Sequence, residues 1–499
     1  MTFDIFMNSM LSIFSWPTFG LLFIGVVIGI VVGIIPGIGG FFVLAILIPF
    51  VVGMEPLPAL ALLLGAHAVV DMGGAITAVL FGVPGTGQSI ATMFDGFPMT
   101  QQGRGAQGVA AALVSSLLGA LLGVVLFMAL IPAVRPVILA LTAGDFFMLV
   151  AVGIICVGSI IGDDPFKGLI MGALGFLLAA VGQDPIEGQL RYEFGVMYLW
   201  DGIDIIPLVI GLIAVSEMID LSMRGGRVTD VPPKAVVIGR DMIKGLFETL
   251  KHWWLMTWTG VMGFIIGFIP GLGGAAASVM CYGWAAKRSK DGSFGKGNIA
   301  GVIAPETANS SKEAGALLPT LAFGVPGSGG MAVLLGVLIM LGIIPGPGMF
   351  KQHLPMTITL GLLIAIGNIM GTVIAFVAVR PLIRVTFMKA AFLVTPVLMF
   401  SLTGSYQSHY SLGDVVLVYV FGILGFFMKK YDYPVPPLIL AFVLGPLAEV
   451  NFNIALDAYG PLFMFQRPIT LVLTVLVLVL GFWPLGKFVF KKKRTVNAS

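Results

Sequence analysis

Residues 33–40 read GIIPGIGG and residues 267–274 read GFIPGLGG; residues 81–87 read FGVPGTG and residues 323–329 read FGVPGSG. Pro36 and Pro270 stand 234 residues apart, and Pro84 and Pro326 stand 242 apart. Two motifs in the same order at nearly one offset divide the chain into two related halves. Extending the second pair backwards sets Asp71-Met72-Gly73-Gly74 opposite Glu313-Ala314-Gly315-Ala316. Each motif places a proline between an apolar run and a set of glycines. Proline removes a backbone donor and blocks helix continuation, while glycine turns through angles closed to other residues. Pro36, Pro84, Pro270 and Pro326 therefore predict helix breaks inside apolar segments.

Composition sets where those breaks lie. Hydrophobic residues make up 58% of the 499, charged residues only 10%, and the mean hydropathy is +1.05. A soluble domain carries roughly 25% charged residues, so soluble, fibrous and disordered classes are excluded. A spanning helix takes about 20 apolar residues, which gives room for about 10–14 membrane segments, some of them half-helices or hairpins. The reading is an all-α polytopic membrane protein of two repeats with broken helices or re-entrant hairpins. Its expected organisation is a first membrane repeat over 1–221, a polar linker with a short surface helix over 222–252, a second repeat over 253–466, and a last helix with a basic tail over 467–499.

Basic residues set the expected topology. Residues 1–103 hold no Lys or Arg; the linker holds several, and Lys491, Lys492, Lys493 and Arg494 follow the last apolar run. The positive-inside rule places the linker and the tail in the cytoplasm and leaves the N-terminus to the periplasm. Gly53-Met54-Glu55-Pro56 follows the first motif without a basic residue, whereas Lys287-Arg288-Ser289-Lys290 follows its counterpart with three. The same element then faces opposite sides in the two halves, an inverted-topology repeat as in many secondary transporters. A parallel repeat is the alternative.

Broken backbone in hydrocarbon survives only where protein or a filled cavity satisfies its polar groups. Half-helix N-termini suit anions, and freed carbonyls and half-helix C-termini suit Na⁺. The candidate anion-binding positions are Gly37, Gly39, Gly40, Gly85, Gly271, Gly273, Gly274 and Gly327, with side chains of Thr86, Thr307, Asn309 and Ser328. The candidate cation positions are the breaks at Pro36, Pro84, Pro270 and Pro326, with Ser310. Asp71 and Glu313 are intramembrane acids and so functional candidates; Asp71 reads equally as a structural, paired carboxylate. The run 305–313, PETANSSKE, reads as a cavity lining or as a cytoplasmic loop, and Asp95 to Met99 reads as a turn. Four histidines show no metal-ligand spacing, two cysteines give no disulfide framework, and no nucleotide-binding loop is present. An enzyme reading finds no nucleophile–base pair, and the net charge of +3 makes no case for nucleic acid.

The segments GFIPGLGG, KRSKDGSFGKGNIAGVIAPETANS, LLPTLAFGVPGSG and LIMLGIIPGPGMF, with GIIPGIGG and FGVPGTGQSIATMFDGFPM in the first half, resemble the large membrane subunit of tripartite tricarboxylate transporters, the TctA family. The likeness runs through both halves. It implies a secondary active permease of a bacterial inner membrane with an elevator-like motion, moving an organic acid on a cation gradient, usually Na⁺ as coupling ion, without other cofactor. It also implies a small membrane subunit (TctB-like) and a periplasmic solute-binding protein (TctC-like) as partners. It leaves the acid open, tricarboxylate or other. A passive anion channel and an H⁺-coupled permease are the alternatives.

Overall fold

The computed structural model describes residues 3–35, 40–160, 164–224, 240–289, 292–385 and 391–481. It is helical nearly throughout; one two-residue antiparallel pairing, Gly182–Gln183 with Leu190–Arg191, is the sheet among the described residues. The first half runs through α1 (Phe3–Phe14), α2 (Thr18–Gly33), α3 (Gly40–Val51), α4 (Pro56–Phe81), α5 (Ile90–Gln101), α6 (Gly105–Leu139), α7 (Ala143–Ile160), α8 (Pro165–Ala179), α9 (Ile205–Val209) and α10 (Ser216–Arg224). The second runs through α11 (Arg240–Lys251), α12 (Trp253–Phe268), α13 (Gly273–Arg288), α14 (Ala300–Phe323), α15 (Gly329–Met340), α16 (Pro347–Lys351), α17 (Leu354–Val385), α18 (Ala391–His409), α19 (Leu412–Lys430), α20 (Val435–Tyr459) and α21 (Phe463–Gln466), and a last helix covers Pro468–Gly481. Among the described residues six helices are long and apolar enough to cross a membrane, α1 with α2 adds a bent pair, and six more are apolar but short. The protein is a multi-pass, all-α membrane protein.

Three of the short apolar helices, α3, α12 and α15, fall where the repeated motifs interrupt the pattern. α2 ends just before the first motif and α3 begins after it; α12 and α13 flank its counterpart. α4 and α14 end on Gly82 and Gly324, at φ +67° and +66°, the left-handed conformation that closes a helix cheaply only with glycine. From there each chain folds back along the helix it has just left. A Cβ on Gly85 would stand 2.3 Å from the Gly33 carbonyl oxygen and 2.5 Å from Gly74 Cα; one on Gly327 would stand 2.2 Å from the Gly267 oxygen and 2.7 Å from Ala316 Cβ. These are corresponding residues in the two halves.

Helix pairing repeats in the same way. On α2, Gly29 and Gly33 lie on the carbonyls of Ala66 and Val70 of α4. On α12, Gly263 and Gly267 lie on those of Ala308 and Lys312 of α14. Small residues at these points bring the backbones together, the packing by which helices associate where lipid removes the hydrophobic drive. α4 and α14 form the centre: in the most apolar window of α4 every residue is buried, and residues 301–322 of α14 are buried throughout.

One expectation is corrected here, and one of two alternatives is removed. Asp95 to Met99 is not a turn; it lies within α5, with Pro98 near that helix's C-terminal end. The helix carries Asp95 to a buried position where its carboxylate accepts the amides of Gly297 (2.9 Å) and Asn298 (2.8 Å) and the Tyr282 hydroxyl (2.9 Å). Those amides precede α14, so the carboxylate fixes the loop that feeds it. Residues 305–313 are not a cytoplasmic loop; they are the interior of α14, with Lys312 fully buried.

Candidate functional site: a buried polar cluster between the two hairpins

α4 and α14 present ionisable residues at corresponding turns. On α14, Glu313 accepts from Lys312 through Oε1, and its Oε2 meets His67 Nε2 of α4 at 3.1 Å. His67, Lys312 and Glu313 are at most 3% exposed. Buried charge persists only when paired, and this carboxylate holds a neighbouring ammonium and an imidazole from the other half.

The matching position in half one is different. Asp71 corresponds to Glu313, Val70 to Lys312, and Asn309 to His67, all at the offset of 242. Asp71 is 6% and Asn309 1% exposed. Among the described residues, Asp71 Oδ1, Asn309 Oδ1, Asn309 Nδ2 and Gln88 Oε1 are buried without a hydrogen-bond partner. Thr86 lies beside Asp71 and its hydroxyl is 3.2 Å from that of Ser89. Gln88 comes from the tip of the folded-back segment. A Cβ at Gly274 would stand 2.3 Å from Gln88 Oε1 and 2.5 Å from Asn309 Oδ1; one at Gly40 would stand 3.8 Å from Asp71 Oδ1 and 4.0 Å from Gln88 Nε2. The first residues of α3 and α13 thus border the same polar cluster. Beside them, a Cβ on Gly87 or Gly273 would meet nothing within 4 Å.

A second buried acid lies on α14. Glu306 is 1% exposed and accepts from the hydroxyls of Thr92 on α5 and Ser116 on α6, the latter at 3.0 Å. Two hydroxyls from two neighbouring helices meet on one carboxylate, and no ion pair to it is present among the described residues.

The candidate residues from the sequence divide by their surroundings. Gly40, Gly274, Thr86 and Asn309 lie at the cluster, and Gly273 adjoins it in sequence with nothing within 4 Å of its would-be Cβ. Gly85 and Gly327 sit against backbone, where packing accounts for them. Gly271, at φ +84°, lies against Cys156 and Val157 of α7. The Ser328 hydroxyl accepts the Met331 amide at 3.3 Å and so caps α15. Thr307 spends its hydroxyl on the Ile303 carbonyl at 2.8 Å, and its methyl is near Gly260 of α12. Ser310 is 8% exposed; Pro326 is buried, and Pro84 and Pro270 are half-buried. Pro36, Gly37 and Gly39 lie outside the described residues. Gln88 and His67 stand beside the motifs in the sequence but were not assigned to the site, and Lys312 and Glu306 were not candidates. The signal for the first three was in the repeat itself, as the positions where the halves fail to match.

No three His, Cys, Asp or Glu side chains converge as metal ligands among the described residues. The donors at Asp71 are hard oxygens, which suit alkali or alkaline-earth cations over transition metals. The broken helices, the paired halves and the buried polar centre are the construction of a membrane transporter. Residues 19–440 match the Tripartite tricarboxylate transporter TctA family, and the chain belongs to that family. It is a transporter component and not an enzyme. An "Uncharacterized 52.8 kDa protein in TAR-I ttuC' 3'region" of Agrobacterium vitis is 30% identical over 439 residues, 87% of this chain and 86% of that one. An "Uncharacterized protein in TAR-II ttuC' 3'region" of the same organism is 30% identical over 195 residues, 39% of this chain and 81% of that one. No solved structure matches.

Proposed function

We propose that this chain is the permease subunit that imports an organic acid, a tricarboxylate or another carboxylate, driven by a cation gradient, with Na⁺ as the coupling ion. A TctC-like periplasmic protein delivers the solute and a TctB-like small subunit completes the membrane complex. The single observation that carries the reading is the juxtaposition at the centre. The N-terminal turns of α3 and α13, one from each half, border a buried carboxylate and two side-chain amides left without partners. Leu272, which precedes α13, makes no side-chain cap hydrogen bond, so the first-turn amides of that helix are left to take an anion. Asp71, Gln88 and Asn309 offer oxygen to a cation beside it. A site that holds a carboxylate next to a cation couples the two by direct attraction.

The membrane placement follows the basic residues. Gln102 donates to the Lys296 carbonyl at 2.7 Å, Arg104 to that of Gly297 at 3.3 Å, and Arg104 lies 3.7 Å from Glu248. The ends of α5, α11 and α13 therefore share one face, assigned to the cytoplasm of a bacterial inner membrane together with the C-terminus. On that assignment α12 and α13 enter from the cytoplasm, and α2 and α3 enter from the periplasm as their inverted counterparts. Alternating access then proceeds by one set of hairpins moving against the rest, in an elevator-like manner.

The test is uptake into proteoliposomes holding the chain with its small subunit and binding protein, with labelled carboxylates and an inward Na⁺ gradient. Accumulation that requires both the gradient and the binding protein supports the reading. Flux that equilibrates without any gradient replaces it with a passive anion channel, and accumulation driven by a proton gradient alone replaces Na⁺ with H⁺.

A further inference from the structure

The two halves place a carboxylate at the same turn of the same helix, yet only one of the two has a cation. Glu313 holds the ammonium of its neighbour Lys312. Asp71 has Val70 as that neighbour, and its Oδ1 has no hydrogen-bond partner among the described residues. The surroundings differ in step. Across from Glu313 stands His67, and a Cβ on Gly330 would come within 2.3 Å of its ring. Asn309 takes the place of His67 on the other side, and Gln88 takes the place of Gly330. Around Glu313 stand the Lys312 ammonium, the His67 imidazole from the first half and a bare glycine; around Asp71 stand the amide side chains of Gln88 and of Asn309 from the second half, with no ion pair to it among the described residues.

We propose that Lys312 is a tethered cation that permanently fills one of two pseudo-equivalent carboxylate sites. Asp71, with the side-chain oxygens of Gln88 and Asn309 and the Thr86 hydroxyl, is then the single exchangeable site, and it takes a bare monovalent cation such as Na⁺. Electrostatics supports the count. A carboxylate buried without a counter-charge is costly, and an ion paired to it removes that cost. Glu313 has solved the problem covalently, through its own chain, so that the ion at its position never leaves. Only the Asp71 site can then load and unload, and this part of the molecule carries one mobile positive charge per cycle. Carboxylate, amide and hydroxyl oxygens are hard donors that replace a hydration shell, and a net charge of one on the site matches a monovalent ion. The inference rests on the reading of this cluster as the transport centre and adds to it which half carries the ion and why the other does not.

The experiment is equilibrium binding of radioactive Na⁺ to the purified full-length chain in detergent, with choline as the inert cation and no organic acid. Wild type is expected to bind one Na⁺ per chain along a hyperbolic isotherm. Asp71→Asn and Gln88→Leu weaken binding by about tenfold or more; Gln88 is half-buried at a hairpin tip, so this variant folds even if the buried one does not. Lys312→Met, which gives Glu313 the empty setting of Asp71, adds a second Na⁺ to the count. An undiminished isotherm in Asp71→Asn or Gln88→Leu overturns the site, and so does wild type that binds no Na⁺. Two ions at wild type, or no second ion in folded Lys312→Met, overturns the tethered-cation account. Because the isotherm needs no solute, partner or flux, a failure here leaves the permease reading standing, and failed uptake leaves this measurement intact.

Discussion

The α2–α4 unit and the α12–α14 unit share a skeleton and differ in charge. Their glycines meet the same carbonyls, their long helices end on the same left-handed glycine, and the segments after them fold back to the same depth. At the next level the likeness stops: the acid of half two meets its own lysine and a histidine of half one, and the acid of half one is left beside amides from both halves. Backbone packing is set by small residues at helix crossings and tolerates little change. The chemistry of a site is set by the few side chains that the packing leaves facing inward. A pair of repeats can therefore keep one fold and divide two tasks, a locked electrostatic support and an open site.

Substitutions test that division, the largest effects first. Lys312→Met in choline buffer is expected to cost about 3–5 kcal/mol, because Glu313 is left buried without its ammonium. The Lys312→Met, Glu313→Gln double variant recovers much of it, and thermal unfolding of the purified protein reads both. If the single and double variants melt together, the pair is not a support. Gly33→Val and Gly267→Val should each cost about 1–3 kcal/mol or more, in equal measure, because their Cβ atoms would stand 1.9 Å and 2.3 Å from the carbonyl oxygens of Val70 and Lys312. Unequal losses, by monodispersity and melting temperature, would break the structural equivalence of the halves. Between the open positions the comparison sharpens. Gly274→Ala collides with Gln88 and Asn309 and should lower Na⁺ affinity, whereas Gly40→Ala meets nothing closer than 3.4 Å and should leave it near wild type. Thr92→Val, which removes one of the two hydroxyls on Glu306, is expected to cost about 1–3 kcal/mol.

The smallest effect is one of pH, in the segment between α8 and α9. The Ile186 amide donates to Asp184 Oδ1 at 2.8 Å, and this bond, with help from the Glu187 amide and Arg191, holds the Asp184 carboxyl below its ordinary value of 3.8. A depressed folded value means that the contribution is fully present above pH 3.8 and is lost as pH falls through the folded value. The protection of amides 184–189, their intrinsic base-catalysed exchange rates divided by the observed rates, should be unchanged between pH 5 and 8, as hydrogen-exchange mass spectrometry can check, and Asp184→Asn should lower it over that range. A change within the range in wild type would contradict the assignment.

Much of the skeleton was legible in the sequence because proline and glycine act locally. Pro84 and Pro326, each just past the glycine that closes a long helix, mark the two folded-back segments without any knowledge of their neighbours. Asp95 was not legible, since a Asp-Gly-Phe-Pro string reads as a turn until the amides of residues 297 and 298, some 200 positions away in the chain, supply the carboxylate with buried partners. Lys312 misled in the same way: a lysine in a polar run suggests an aqueous loop, and only the acid next to it and the histidine of the other half make burial affordable. Thr307 and Asn309 are two residues apart and equally polar, yet one spends its hydroxyl on its own helix and the other faces the cluster. Helix phase against a distant partner decides that, and no local pattern reports it.

The Asp95 carboxylate has a consequence for biogenesis. A chain made from its N-terminus has α5 complete before residues 297 and 298 leave the ribosome. The loop that feeds α14 then finds its anchor waiting, and the Asp95 carboxylate gains its buried partners only when that loop and Tyr282 arrive. Assembly is in this sense directional: the earlier half is a template on which the central helix of the later half is seated, and the order of synthesis is written into a single side chain.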